Sequence, residues 1–201
     1  IGLVKILKTE RVQDGVERII FAAGLAALKA VQDRDAILQK AGLALDAPFE
    51  KVGEYARSIA DEKDRLSKRV QDIRNQLALV ESKDLLSHAE KIGKIKLATA
   101  LKKVGEEEDI VALSNEVVQA EPSAVLIVTL VKDSVRIFVS AGKNAIKSGV
   151  HAGKVAGELA KLVGGGGGGK EYFGQGGGTR LDNADAVIGN AKKVVRSYLK
   201  K

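Results

Sequence analysis

Apolar residues recur at Val52, Ala56, Ile59, Leu66, Val70, Ile73, Leu77 and Val80 at alternating spacings of four and three, with Lys63 in the one polar place of the series. This is an a/d seam kept for about four heptads, and it predicts a single helix of roughly 33 residues, a rod near ~50 Å long. A seam of that length needs a partner. The preceding helix could fold back on it as an antiparallel hairpin, or the same helix of a second chain could pair with it. The flanking positions do not choose between the two, because Glu62 at g faces Ser67 at the following e, which is no ion pair.

On either side the pattern changes. "IGLVKIL" and "GVERIIFA" read as strands, and the Asp14-Gly15 pair between them signals a hairpin turn. Two strands bury no core alone, so residues 1–24 are expected to be the remnant of a domain whose body lies upstream. Residues from about 22 to 40 carry a partial helical stripe of Leu25, Leu28, Val31 and Leu38. Gly42 to Pro48 interrupts it, with Asp46 as the expected N-cap of the rod and Pro48 in its first turn.

From about residue 91, Ile95, Leu97, Thr99 and Leu101 alternate as in a half-buried strand, and Glu106 to Asp109 place negative charge at a helix start. Pro122 ends that helix. "AVLIVTLV" is a continuous apolar run suited to a central strand, and "VRIFVSA" returns beside it as a hairpin. A helix over about 144–163, a glycine-rich loop and a last helix from Asp182 or Asn183 follow. The expected fold class is α+β or α/β: a long helical hairpin or coiled-coil arm, then a compact α/β domain with a central sheet. The expected divisions are 1–24, 25–90 for the helical dimerisation region, and 91–201 for the globular domain.

Charge sharpens this picture. The 201 residues carry a net charge of +7. Residues 143–201 hold 11 basic and 4 acidic residues, while residues 1–142 are balanced at 22 of each. The whole excess lies around the glycines, where a positive field favours a polyanion. Cysteine is absent, so disulfides and thiolate metal sites are excluded, and with histidine only at 88 and 151 a multi-histidine metal site is not expected. No apolar run reaches membrane-spanning length, Ile1 is not a start methionine, and the chain is expected to be a piece of a longer, cytoplasmic protein with no membrane partner. No paired carboxylates or nucleophile–base pair stands out, so neither a catalytic nor a metal-ligating residue is assigned.

The stretch "KLVGGGGGGKEYFGQGGGTR" concentrates the candidate chemistry. Gly164, Gly169 and Lys170 spell most of a phosphate-binding P-loop. The match fails because Glu171 occupies the place of the Mg²⁺-binding hydroxyl and because a helix, not a strand, precedes the loop. A slack linker is the plain alternative. Against it stand Tyr172 and Phe173 inside the glycines, with Gln175, Lys170 and Arg180 as added donors. The helix before the loop carries Lys143, Lys147, Lys154 and Lys161 at spacings that share one face, and Gly149, Gly153 and Gly157 at spacings that admit a close neighbour. The expected RNA-binding set is therefore Lys143, Lys147, Lys154, Lys161, Gly164, Gly165, Gly166, Gly167, Gly168, Gly169, Lys170, Tyr172, Phe173, Gln175 and Arg180. The glycine N–H groups would form anion-binding concavities, and Tyr172 or Phe173 would stack on a base.

"IGLVKILKTERVQDGVERIIFAAG" resembles the end of the editing domain of alanyl-tRNA synthetases. "IFVSAGKNAIKSGVHAGKVAGELAKLVGGGGGGKEYFGQGGG" is similar to the glycine-rich DHH-associated domain that closes those enzymes and also occurs in DHH-type phosphoesterases. The order of editing remnant, helical region and glycine-rich domain is more specific than either segment alone. The resemblance implies a parent that joins alanine to tRNA with ATP, Mg and Zn, and a fragment that binds tRNA, forms a homodimer and supports both aminoacylation and proofreading. The family's HxxxH and CxxxH zinc ligands have no match here, so the fragment is expected to hold no cofactor and no catalytic site. Two rival expectations remain: the substrate-binding half of a DHH-type phosphoesterase, and a purely structural oligomerisation domain.

Overall fold

The structure, a computed structural model, describes residues 1–199. The chain divides into two compact units, Ile1–Lys68 and the residues from Arg69 onward. In the first, strands β1 (Val4–Gln13) and β2 (Val16–Ala23) pair antiparallel. The turn between them holds Gly15 at φ 77, the left-handed conformation that the Asp-Gly signal provides. Helix α1 (Leu25–Ala44) follows. Asp46 does not cap the rod: it sits left-handed at φ 48, and Pro48 takes the cap position of a short 3-10 turn over Phe49–Lys51. Pro48 has no N–H to leave unpaired and its fixed φ suits helix entry, which explains the displacement.

The rod is helix α2, Val52–Ser87. Its 36 residues span about 54 Å. Val52 is buried, but Ile59, Leu66, Val70, Ile73, Leu77 and Val80 are all exposed. Within the first unit, α1 therefore leaves Ile59 and Leu66 uncovered.

The second unit is built on a six-stranded sheet in the order β3-β4-β5-β6-β8-β7, formed by Glu90–Ile92, Ile95–Lys102, Ala124–Val131, Val135–Ala141, Phe173–Gly178 and Gly166–Gly169 for β3, β4, β5, β6, β8 and β7. Only β4 and β5 run parallel, joined through α3 (Glu107–Ala120). A capping box fixes the start of α3: the Glu106 side chain accepts from the Asp109 backbone, and Asp109 accepts from the Glu106 N–H at 2.8 Å. Val125, Ile127, Ile137 and Val139 on one sheet face pack with Val155, Leu159, Val187 and Val195 of the helices α5 (Ala152–Leu162) and α6 (Ala184–Tyr198). Leu126, Val128, Leu130 and Phe138 on the other pack with Ile110, Leu113 and Val117 of α3 and with Ala78 of α2. With both faces covered, "AVLIVTLV" is continuous rather than alternating.

The join of α3 to β5 is held by charge. At the end of α3, the Glu121 carboxylate accepts from Lys96 Nζ at 2.6 Å and from the Ser123 hydroxyl at 2.6 Å. The Lys96 bond, then the Ser123 bonds, hold its pKa down to about 2 from the usual 4.5. The folded state thus binds this proton more weakly than the unfolded chain. The stability that results is complete above about pH 4.5 and is lost as pH falls toward 2. Acid unfolding followed by circular dichroism should show a shallower loss between pH 4.5 and 2 in Glu121→Gln than in the parent.

Two expectations for the glycine-rich end are corrected. The helix anticipated over 144–163 is two helices, α4 (Lys143–Lys147) and α5. Gly149 at φ 106 breaks them, because a left-handed residue cannot continue a right-handed helix. The anticipated glycine loop is a hairpin of β7 and β8 that extends the sheet.

Candidate nucleic-acid interface

The glycine hairpin forms because each bare residue meets another. The β7–α5 and β8–α5 contacts are backbone against backbone. A Cβ on Gly153 of α5 would lie 2.3 Å from the Gly169 carbonyl oxygen, and one on Gly157 would lie 3.1 Å from that of Gly167. A Cβ on Gly174 of β8 would lie 2.5 Å from the Ala152 oxygen. The i+4 glycines of α5 thus do admit a close neighbour, and the neighbour is the glycine strand.

This geometry changes what the glycines can do. In a strand, successive backbone groups point to opposite sides, so Gly166 to Gly169 cannot converge their N–H groups on one anion; the expected concavity is absent. The start of α5 is equally occupied. Ala152 N–H donates to the Glu171 oxygen and Gly153 N–H to the Lys170 oxygen, both at 3.0 Å. His151 caps the helix, its carbonyl and Nδ1 both accepting from Lys154 N–H. His151 is a structural cap, a role invisible in its isolated position in the sequence.

The break between α4 and α5 splits the expected lysine ridge. Lys143 and Lys147 belong to α4. Lys154 and Lys161 belong to α5 and line an open groove of about 600 Å³ with His151, Glu158, Tyr198, Gly165 and the strand β7. Neither lysine pairs with a carboxylate among the described residues, although Glu158 stands between them on the same helix face. On that face the Tyr198 hydroxyl donates to Glu158 Oε1 at 2.6 Å. Burial, then the Glu158 carboxylate, push the Tyr198 phenol up to about 12. Sequence reading passed over Tyr198, since a contact 40 residues away leaves no local signal.

The remaining candidates surround the hairpin. At its tip, the Lys170 ammonium lies 5.8 Å from the centre of the Tyr172 ring, and Tyr172 is 53% exposed. Phe173 is half-buried against the α3-side core, so of the two aromatics Tyr172 is the one presented to solvent. Gln175 is exposed in mid-strand. At the base, Arg180 N–H donates to the Val163 oxygen, and its side chain lies across Gly164.

Among the described residues there is neither a zinc cluster nor a complete P-loop. No cluster of three or more His, Cys, Asp or Glu side chains is placed to hold a metal among the described residues. Glu171 stands at the hairpin tip, where a P-loop needs a hydroxyl. No helix among these residues is long and apolar enough to cross a membrane.

Strands, helices and glycine hairpin together define a known class. The chain belongs to the DHHA1 domain family, which its residues 91–200 match. Over its whole length it is similar to the C-terminal region of alanyl-tRNA synthetases. It is 33% identical over 199 residues to the alanine–tRNA ligase of Methanococcoides burtonii, covering 99% of this chain and 22% of that protein. It is 37% identical over 205 residues to the alanine–tRNA ligase of Natronomonas pharaonis, covering 99% and 21%. The solved C-Ala domain of Aquifex aeolicus alanyl-tRNA synthetase is 26% identical, with 54% of this chain and 97% of that one covered and a TM-score of 0.49. The chain spans about a fifth of the length of the curated relatives it matches.

Proposed function

We propose that this chain is the tRNA-binding and dimerisation module of an alanine–tRNA ligase. The observation that carries the reading is the pair of carboxylate-free lysines, Lys154 and Lys161, facing a strand without side chains across one groove. A phosphodiester backbone needs cations at intervals and room to approach, and the groove offers both. The excess of positive charge in residues 143–201 supports it, as do relatives named alanine–tRNA ligase. In this reading aminoacylation, proofreading and their ATP, Mg and Zn belong to other parts of a cytoplasmic enzyme, and this module holds tRNA for both reactions. The exposed seam of α2 supports pairing with a second copy.

The test is charge reversal in the groove. Lys154→Glu with Lys161→Glu should weaken binding of a tRNA(Ala) transcript and lower the slope of log K against log salt by about 1.5, the loss of two phosphate contacts. Lys143→Glu with Lys147→Glu, on α4 and outside the groove, should change the slope less. Fluorescence anisotropy between 50 and 200 mM salt, about the range over which such contacts show, measures both. Equal slopes for the parent and the α5 variant would refute this surface.

A further inference from the structure

Two of the six consecutive glycines are not required by the fold. A Cβ at Gly165, Gly167 or Gly169 would lie 1.8, 2.7 or 2.5 Å from backbone oxygens of β8, so these three must be bare for the hairpin to close. At Gly166 and Gly168 a Cβ would meet nothing within 4 Å, and neither has a left-handed φ. Glycine weakens a strand, having no side chain to pack and more freedom to lose. Folding alone favours threonine or valine at both places.

The register shows where these two positions face. Gly166 lies opposite Gly177, which lies opposite Arg136; Gly168 lies opposite Gln175. They share one face of the outer strands. The other face is covered by α5, into which a Cβ on Gly174, Gly176 or Gly178 would run. On the shared face α3 packs on β5 and β6, and on β8 Phe173 closes the edge of that core. What remains is an open patch of peptide planes, with shallow hollows of about 460 Å³ beside Arg136 and Thr179 and about 320 Å³ beside Lys170 and Tyr172. Its rim is polar: Arg136, Gln175, Lys170 and Thr179. Lys170 has no carboxylate partner among the described residues.

We infer that the bare face of Gly166, Gly168 and Gly177 is a platform on which a nucleobase of bound RNA lies flat, with Gln175 and Lys170 at its edge. The inference rests on the RNA-binding reading and names the part of the RNA that meets this side of the hairpin. A planar ring gains dispersion contact over its whole area only where no Cβ holds it off. Donors at the rim match the acceptors on base edges and phosphates. A protein partner would want an apolar side-chain core inside a polar rim, and the centre of this patch, Gly166, Gly168 and Gly177, has no side chain to form one.

Gly166→Val with Gly168→Val tests it in the full chain. The substitutions have space, so the melting temperature should hold or rise. Affinity for a tRNA(Ala) transcript should fall roughly tenfold, the scale of one lost base-stacking contact. Affinity for inorganic polyphosphate, which has charge but no base, should not change. Unchanged tRNA affinity, an equal loss for both ligands, or a changed oligomeric state with RNA affinity intact would each overturn the platform. Gly168→Val alone carries the same expectation and serves if the double variant melts without cooperativity. If the parent chain fails to bind tRNA, the RNA-binding reading falls and the platform with it. If the parent binds and the variant binds equally, only the platform falls.

Discussion

Gly153→Ala should lower the stability of the α/β unit by about 3 kcal/mol, a fall in Tm on the order of 10 °C. Helix propensity argues the other way, since alanine in a helix interior is favoured over glycine by about 1 kcal/mol. Sterics decide the sign. The new methyl would sit 2.3 Å from the oxygen and 2.5 Å from the carbon of the Gly169 carbonyl. Both are backbone atoms of β7 and cannot rotate away as a side chain would. The strand must peel from α5 or the helix must shift from the core that Val155 and Leu159 anchor. Gly189→Ala on α6 is the matched control, because a Cβ there meets nothing within 4 Å and only the propensity gain remains. Thermal melting should move the two variants in opposite directions. A Gly153→Ala protein that melts at or above the parent temperature would refute the packing of α5 on β7.

The same contrast separates what could be read in the sequence from what could not. Side-chain pattern carried the rod, the β1–β2 hairpin, the capped start of α3 and the central pair β5–β6. The rod repeats its apolar residues at the helical period, β5 is a continuous apolar run as a strand covered on both faces requires, and acidic residues mark the start of α3. The glycine hairpin has no such pattern. A run of glycines has the lowest strand propensity short of proline, and it forms strands here because the opposing helix is bare at matching heights. That complementarity lies in pairs such as Gly153 with Gly169, which no local window contains. The spacing of Gly149, Gly153 and Gly157 did signal a close approach, though Gly149 turned out to end a helix instead. Because Ile146 and Val150 continue the apolar period across that break, the lysines on either side read as one ridge. Half of the ridge survives as the Lys154–Lys161 groove. Tyr198, which donates to Glu158 beside those lysines, could be found only in three dimensions.

The seam of α2 carries the second large effect. Leu66 is 51% exposed and Ile73 is 55% exposed, two large apolar side chains on a helix where water would otherwise be met by charge. In the proposed homodimer each substitution occurs twice, so Leu66→Lys with Ile73→Lys removes four buried side chains. Each is about half exposed, so pairing buries about half of it, worth about 0.75 kcal/mol at the lower limit; the loss over four is about 3 kcal/mol, and the dissociation constant should rise about 10²-fold. Light scattering should show a dimer for the parent and a monomer for the variant at the same micromolar concentration. The parent Tm should also rise with concentration while that of the variant does not, since only an association linked to folding makes stability depend on concentration. Helix content separates dimer loss from misfolding: lysine is a good helix former, and both side chains already face solvent in the single chain. A monomeric parent, or a variant that stays dimeric, would show that copies do not pair along this seam, and the apolar stripe would then need another partner.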